Sequence, residues 1–498
     1  MSNAGILQGA HGFVLNNPHL GDNYTHLNQN IHNTVVERKR PGLKILLEAS
    51  MPDAFHDSSA RDPPPSCHPG TRYTFIDAIT SWGLGTSRRT KSMLWMYGPA
   101  GVRKSAIAQT CSERLAERNK LGAALFFSRS VGPNKRDDPH RLFPSLAYQI
   151  AAKFDAYGDI LDHHIQKNPT LVAKSTREQF QELLVKPLSQ LGADAAGVVE
   201  GLVVIIDGLD ECGKGPGMHC DIIEVTAASI RNRATPFRWV LLSRPETHIV
   251  GSFTVNGMHS LTYRLEVRVS RDIDNEITLY LTDGLRRIQQ RNGLPDSWVS
   301  ERDVGVLVDL SGGLFIYAAT IIRFIGDYDL LGPVDQLRAV LALVSSDRES
   351  DSVHPLSELD LFYTLIMRRV PPGILPRIQA ILLLRFYTLP LDMRKTPALL
   401  GLPPVTIITN LIGLSEPQFW NACGSLYSVL KLDSNITFYH ASFMDFLHNS
   451  RQSGNFCIYL RLDSLRLELL QRLNDVHARS IGESAVAKSN SPDAHCSI

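Results

Sequence analysis

The chain has 498 residues, of which 43% are apolar and 20% charged, and its formal net charge is +1. Those values imply globular folding in roughly two to four domains, exclude a chain disordered throughout, and give no basic bias toward nucleic acid and no acidic tail. Seven cysteines (Cys67, Cys111, Cys212, Cys220, Cys423, Cys457 and Cys496) form no C-x-x-C pair and are odd in number, which points to a reducing, cytoplasmic setting and away from a disulfide framework or a cysteine-based structural zinc site.

The opening "MSNAGILQGAHGF" lacks a basic region followed by an apolar core, so no secretory signal is read there. Residues 1–50 are polar and weakly patterned. Residues 52–70 read as a linker that cannot be helical through Pro63, Pro64 and Pro65. Short apolar runs then alternate with longer amphipathic segments: 92–98, 123–128, 201–207, 238–243 and 261–267. Continuous apolar strands separated by helices predict a parallel sheet covered on both faces, an α/β domain over 71–267. The mixed-charge run 129–141 reads as solvated loop.

After residue 270 the pattern turns helical, at 271–290, 301–325, 356–370 and on through 400. The run 314–325 falls short of the roughly 18 apolar residues that a membrane helix needs and contains Arg323, so it reads as a buried helix. Near 425–447 a hairpin with a "DSN" turn leads into "SFMDFLHN", an order that suits a winged helix. Ser442 and Asp445 resemble a capping box for that last helix. The last twenty or so residues have a disordered composition, and no repeat with a period of 20–50 residues is visible.

The stretch "LWMYGPAGVRKSAIAQ" (94–109) nearly matches the phosphate-binding pattern G-x-x-x-x-G-K-[ST]. Gly98, Pro99, Ala100, Gly101 and Val102 precede Arg103, which stands where the second glycine is required; Lys104, Ser105 and Ala106 follow. Lys104 would reach the β- and γ-phosphates and Ser105 would hold Mg²⁺. Backbone N–H groups and the positive helix end would cradle the anion. A strand precedes the loop, and Ile107, Cys111 and Leu115 recur every four residues after it. The pattern with its sixth position relaxed is weak, so the loop needs partners.

"LVVIIDGLDEC" supplies them: a buried strand ending in Asp207, then Asp210 and Glu211. Ligands bind at the C-terminal edge of open parallel sheets. A phosphate site needs one carboxylate for Mg²⁺ through water and a second to orient the attacking water. Asp207 is assigned to the metal, with Asp210 and Glu211 as candidates for the second role. "RWVLLSRPE" ends another strand at the same edge, where Arg244 would sense the γ-phosphate or stabilise its developing charge.

These three elements, with "CHPGTR" (67–72), "SGGLFIYAAT" (311–320) and "HASFMDFL" (440–447), resemble the NACHT domains of STAND-class P-loop NTPases, closest to those of mushroom-forming fungi. The resemblance covers about residues 55–460. It implies a P-loop NTPase domain (71–267), a small helical domain (268–345) and a winged-helix-like domain (346–460). These are flanked by an extension with a Pro-rich linker (1–70) and a C-terminal helix with a tail (461–498). It further implies a signalling switch closed over ADP that opens on exchange for ATP and forms homo-oligomers, in innate immunity or programmed cell death. It places Thr71 and Arg72 at the base and ribose, Phe315 against adenine, and His440 on the β-phosphate of ADP. The choice of ATP over GTP also comes from the resemblance.

Arg103 sets a second reading beside the switch. A side chain in the left-handed region costs roughly 1–2 kcal/mol, yet a long arginine can swing outward. Weakened nucleotide binding, or a non-catalytic scaffold relying on protein partners, both follow from it. At most the chain is a slow ATPase. A third reading, an unrelated P-loop kinase, lacks any sign of an acceptor pocket.

Overall fold

The computed structural model describes residues 40–61, 64–129, 136–255, 257–327, 332–345, 355–387, 404–432, 436–472 and 474. The extension before residue 40, the "DSN" turn, the stretch 388–403 and the tail after 474 lie outside the described residues. By contact density the chain divides into Met1–Pro41 and Gly42–Ile498; only Arg40 and Pro41 of the first unit are described.

The centre of the second unit is a five-stranded sheet: β1 (Met93–Tyr97), β2 (Leu121–Phe126), β3 (Val203–Asp207), β4 (Arg238–Ser243) and β5 (Thr262–Glu266). The spatial order is β2-β3-β4-β1-β5, and every pairing is parallel. All five strands coincide with the apolar runs read from the sequence. Alternate residues face opposite sides. Leu94, Met96, Val240 and Leu242 join one core cluster, while Met93, Trp95, Trp239 and Leu241 join the other. Both faces of β1 to β4 are therefore dry, which is why those strands read as nearly unbroken apolar runs, whereas β5, at the sheet edge, is half-exposed.

Helix α1 (Lys104–Glu117) follows β1, and Ile107, Cys111 and Leu115 are its buried stripe, as the spacing predicts. Helices α2 (Pro216–Arg231) and α3 (Thr247–Thr254) follow β3 and β4. Residues 52–61 are not a free linker. Met51 and Ala54 sit in the second core cluster, Phe55 bridges to Leu125, and Arg61 is only 8% exposed with its guanidinium 3.6 Å from the centre of the Phe126 ring. Composition alone concealed this, because short 3-10 turns bury apolar residues without a repeating period.

The region after the sheet is mostly helical; its helices include α4 (Asp274–Asn292), α5 (Glu301–Ser311), α6 (Phe315–Ile325) and α7 (Pro355–Arg368). Gly312 and Gly313 split the 301–325 segment in two. An antiparallel hairpin, β6 (Leu430–Leu432) with β7 (Ile436–Phe438), leads into α8 (Ala441–His448). The first core cluster runs unbroken from the sheet through Leu281, Phe315 and Phe362 to Phe446. The chain is thus an α/β P-loop NTPase fold, a parallel sheet covered by helices, continued by helical parts. No described helix is long and apolar enough to cross a membrane.

Candidate functional site

The sheet order decides the site. Strand β4 lies between β1 and β3, with Tyr97 opposite Ser243 and Ile206 opposite Leu241. The C-terminal ends of the loop strand, the arginine strand and the acidic strand are therefore neighbours at one edge. Trp95 Nε1 donates to Ser243 Oγ at 2.9 Å, which fixes β1 to β4 there.

The loop 98–103 joins β1 to α1. Gly98 and Gly101 are both required. A Cβ on Gly98 would meet the Val267 carbonyl oxygen at 2.2 Å, and one on Gly101, where φ is +82°, would meet Ile316 at 2.4 Å. Arg103 also holds a positive φ, 70°, in the left-handed region just before α1. Its side chain swings away from the loop. The guanidinium donates to the Ser66 carbonyl at 2.7 Å and lies 5.2 Å from the Phe315 ring centre and 5.5 Å from that of Tyr280. Such cation–π contacts contribute about 0.5–1 kcal/mol each at exposed sites and more when dry, enough to offset the backbone strain.

Lys104 Nζ donates to the carbonyls of Gly98 and Pro99 at 2.7 and 2.9 Å. Burial pushes its pKa down to about 8, against the pull of Asp210 and Asp207. Ser105 is exposed at the head of α1. Asp207 is 2% exposed. Burial raises its carboxyl to about 6, while the Ser105 hydroxyl, Lys104 and Arg61 pull it back. Its Oδ1 is buried without a hydrogen-bond partner. A dry carboxylate oxygen with no donor, beside a hydroxyl and a lysine, is a donor set that fits Mg²⁺ and phosphate.

Asp210 and Glu211 separate in role. Asp210 Oδ1 accepts from the Arg244 backbone N–H at 2.8 Å, and its Oδ2 lies 3.3 Å from Arg244 Nε. Glu211 is half-buried; its Oε2 accepts from the Arg129 backbone N–H at 3.1 Å. Burial, then the charge of Asp210, raise Glu211 to about 7. Arg244 reaches past Asp210 to Asp445 Oδ2 on α8, at 3.1 Å. The Ser442–Asp445 capping box therefore does not form. His440 is the cap: its Nδ1 accepts from the Ser442 N–H at 3.1 Å, while Ser442 Oγ, inside the first turn, pairs with Tyr363 at 2.7 Å. Because Nδ1 accepts, the neutral ring carries its proton on Nε2. Burial and then the charges of Arg244, Lys104 and Arg323 lower His440 to about 3, so it stays neutral.

Thr71, Arg72 and Phe315 are packed in the interior, each at most 2% exposed. Thr71 Oγ1 donates to His68 O at 2.8 Å. The Arg72 backbone N–H donates to Glu276 Oε2 at 3.1 Å, and its guanidinium lies 4.9 Å from the Phe315 ring centre. Arg72 Nη2 is buried without a hydrogen-bond partner, and Phe315 is fully buried. Arg72 and Arg103 thus both stack on one ring. Sequence reasoning missed Arg61, Arg129 and Asp445 as neighbours of the acidic cluster. Arg129 Nη2 donates to the Asp210 carbonyl at 2.7 Å. Only the tertiary fold brings these three there.

Fold and site together define the P-loop NTPase fold class. Over residues 70–244 the chain matches the model of the family described as "Nephrocystin 3, N-terminal". That span contains the loop, the acidic strand and the arginine strand. No curated protein matches. Among solved structures, the chain is similar to a Walker-type ATPase of Pyrococcus abyssi at 14% identity, covering 74% of this chain and 93% of that one, with a TM-score of 0.32. It is also similar to the ORC1 protein of Aeropyrum pernix in complex with DNA, at 16% identity over 87% of this chain and 98% of that one, with a TM-score of 0.34.

Proposed function

We propose that this chain is a nucleotide-controlled switch that binds ATP and ADP with Mg²⁺, a NACHT protein of the STAND class. One observation carries the reading: Lys104, the unpartnered oxygen of Asp207, and Arg244 with its bond to Asp445 of α8 all meet at one sheet edge. A phosphate held there touches both the sheet and the C-terminal helices, so its identity can govern how the two engage.

In this reading Lys104 and the N–H groups of 98–106 hold phosphate, and Ser105 and Asp207 hold Mg²⁺, which neutralises phosphate charge when bound. Glu211, raised to about 7, is better matched than Asp210 to accept a proton from water, since Asp210 is committed to Arg244. Neutral His440 donates from Nε2 to phosphate in the closed state. Thr71, Arg72 and Phe315 receive the nucleoside. The winged-helix identity of 346–460, oligomerisation in the ATP state, unknown protein partners, a cytoplasmic setting and a role in fungal immunity or cell death rest on the resemblance.

The Arg103 contacts favour a second reading, a scaffold that keeps the fold without turnover. With Arg103 stacked on Phe315, the ring assigned to the nucleoside already has an occupant. The test is to denature purified protein and identify any released nucleotide by chromatography. Stoichiometric ADP supports the switch. ADP only in Arg103→Gly supports the scaffold. No nucleotide in either, with no binding of added ATP or ADP, overturns the switch and also the attribution of the lost site to Arg103.

A further inference from the structure

Behind the acidic cluster, three side chains from two helices converge without a role in the phosphate site. His219 lies in the first turns of α2; Glu246 and His248 stand at the start of α3. One ligand atom from each lies within 4.8 Å of the others. We propose that His219, His248 and Glu246 form a binding site for a divalent cation of the zinc class.

The hydrogen bonds argue for ligation. His219 Nε2 lies 2.8 Å from the Cys212 carbonyl. A carbonyl only accepts, so Nε2 carries the proton and Nδ1 of the neutral ring keeps its lone pair. Metal-bound histidines are oriented in this way, by an outer N–H bond to a carbonyl. That Nδ1 accepts from His248 Nε2–H at 2.8 Å, with the two rings inclined by only 27°; a cation entering between them takes both lone pairs, and the His248 proton moves to its Nδ1, which faces Glu246 Oε2. Two imidazole nitrogens thus point at one small volume. Tetrahedral zinc at about 2.0–2.1 Å from each would hold them about 3.3 Å apart, a small opening for partly exposed His248. Glu246 divides its oxygens: Oε1 lies 3.5 Å from Arg129 and Oε2 lies 3.8 Å from His248 Nδ1, the ring nitrogen turned away from His219, so that a carboxylate oxygen stands within 4.8 Å of the imidazole nitrogens and reaches the cation by a turn of its side chain. Two imidazoles and one carboxylate suit zinc, and three protein ligands leave a position for water.

A cation here ties two loops that serve the phosphate site. Through His219 it holds the Cys212 carbonyl at the end of the acidic loop; through Glu246 and His248 it holds the segment just after Arg244. The proposal stands apart from nucleotide binding and fails or survives independently of it.

The experiment uses the full chain, stripped with chelator and kept in excess Mg²⁺ so that the phosphate site does not compete. Co²⁺ is titrated in while d–d absorption is followed, and Zn²⁺ is then used to displace it. The expected result is one tight Co²⁺ per chain, with absorption of a nitrogen-ligated tetrahedral or five-coordinate ion, displaced by one Zn²⁺. His248→Ala and Glu246→Gln, both at partly exposed positions, should each lose at least the roughly ten-fold affinity that removal of even an outer partner costs. Natural protein that binds no Co²⁺ or Zn²⁺ more tightly than the His248→Ala chain overturns the proposal. So does tight binding that both variants retain while their circular dichroism is unchanged.

Discussion

Arg244 joins Asp210 and Asp445, residues far apart in the sequence, in one ion-pair chain: Nε lies 3.3 Å from Asp210 Oδ2 and Nη1 3.1 Å from Asp445 Oδ2. The first carboxylate belongs to the acidic loop, the second to α8. An arginine that would meet phosphate is therefore also the latch that holds α8 to the sheet edge. Asp445 is 43% exposed, so the pair contributes at most about 1 kcal/mol. Asp445→Ala should barely move the melting temperature. It should speed release of bound ADP by up to about five-fold and raise amide exchange across 441–448. Unchanged release and exchange would show that the pair is decorative.

Arg103→Gly removes two opposing effects. The left-handed strain of roughly 1–2 kcal/mol disappears, and so do the bond to Ser66 and the stacking on Phe315 and Tyr280. Stability should change little. Affinity for ADP should rise about ten-fold or more, because Phe315, proposed to receive the nucleoside, is freed of the Arg103 guanidinium. Titration calorimetry on both chains decides this, and equal affinities would sink the account.

Strands β1 to β4 are legible in the sequence because burial on both faces leaves nearly unbroken apolar runs, and the loop, acidic and arginine elements follow from them. Arg103 is legible as a departure, and its positive φ is expected from the glycine it replaces. Its destination is not, since nothing local links it to Ser66 or Tyr280. Asp445 imitates half of a capping box when the helix start is placed two residues late; His440 takes the cap instead. Arg61 is hidden in a proline-rich stretch whose composition imitates a linker. His219, Glu246 and His248 escape notice because their spacing follows no local motif, and cysteine counting searches for a different donor set.

Asp207→Asn tests the metal assignment without relying on turnover. The native carboxylate is nearly inaccessible, and its Oδ1 has no donor. Its folded pKa, about 6, exceeds the ordinary value of 3.8. The folded state therefore binds more protons, and the group lowers stability as pH rises from about 4 to 6. At neutral pH the amide should leave the melting temperature unchanged or raised in chelator. It should abolish the increase that Mg²⁺ with ADP gives the natural chain. An equal Mg²⁺-dependent increase in the variant would remove Asp207 from the site.

The same shifts set a pH window for binding. Lys104 must be charged to hold phosphate, and burial brings its pKa down to about 8. Asp207 must be ionised to hold Mg²⁺, and burial brings it up to about 6. Affinity for ADP with Mg²⁺ should therefore be greatest between those values, falling on the acid side through Asp207 and on the alkaline side through Lys104. For Lys104 the stability effect has the opposite sign. Its folded pKa lies below the unfolded 10.5, so the unfolded chain binds more protons from about 8 to 10.5. The lysine's own contribution to stability therefore rises as affinity falls. Binding isotherms and melting curves across pH 5–10 separate the two. In chelator the Asp207 share of the acid limb should vanish, leaving only the part due to protonation of the terminal phosphate at about 6. The alkaline limb should remain, because Lys104 is the phosphate-binding side chain that titrates at about 8; an Asp207→Asn chain with the natural acid limb in Mg²⁺ would assign that limb to another group.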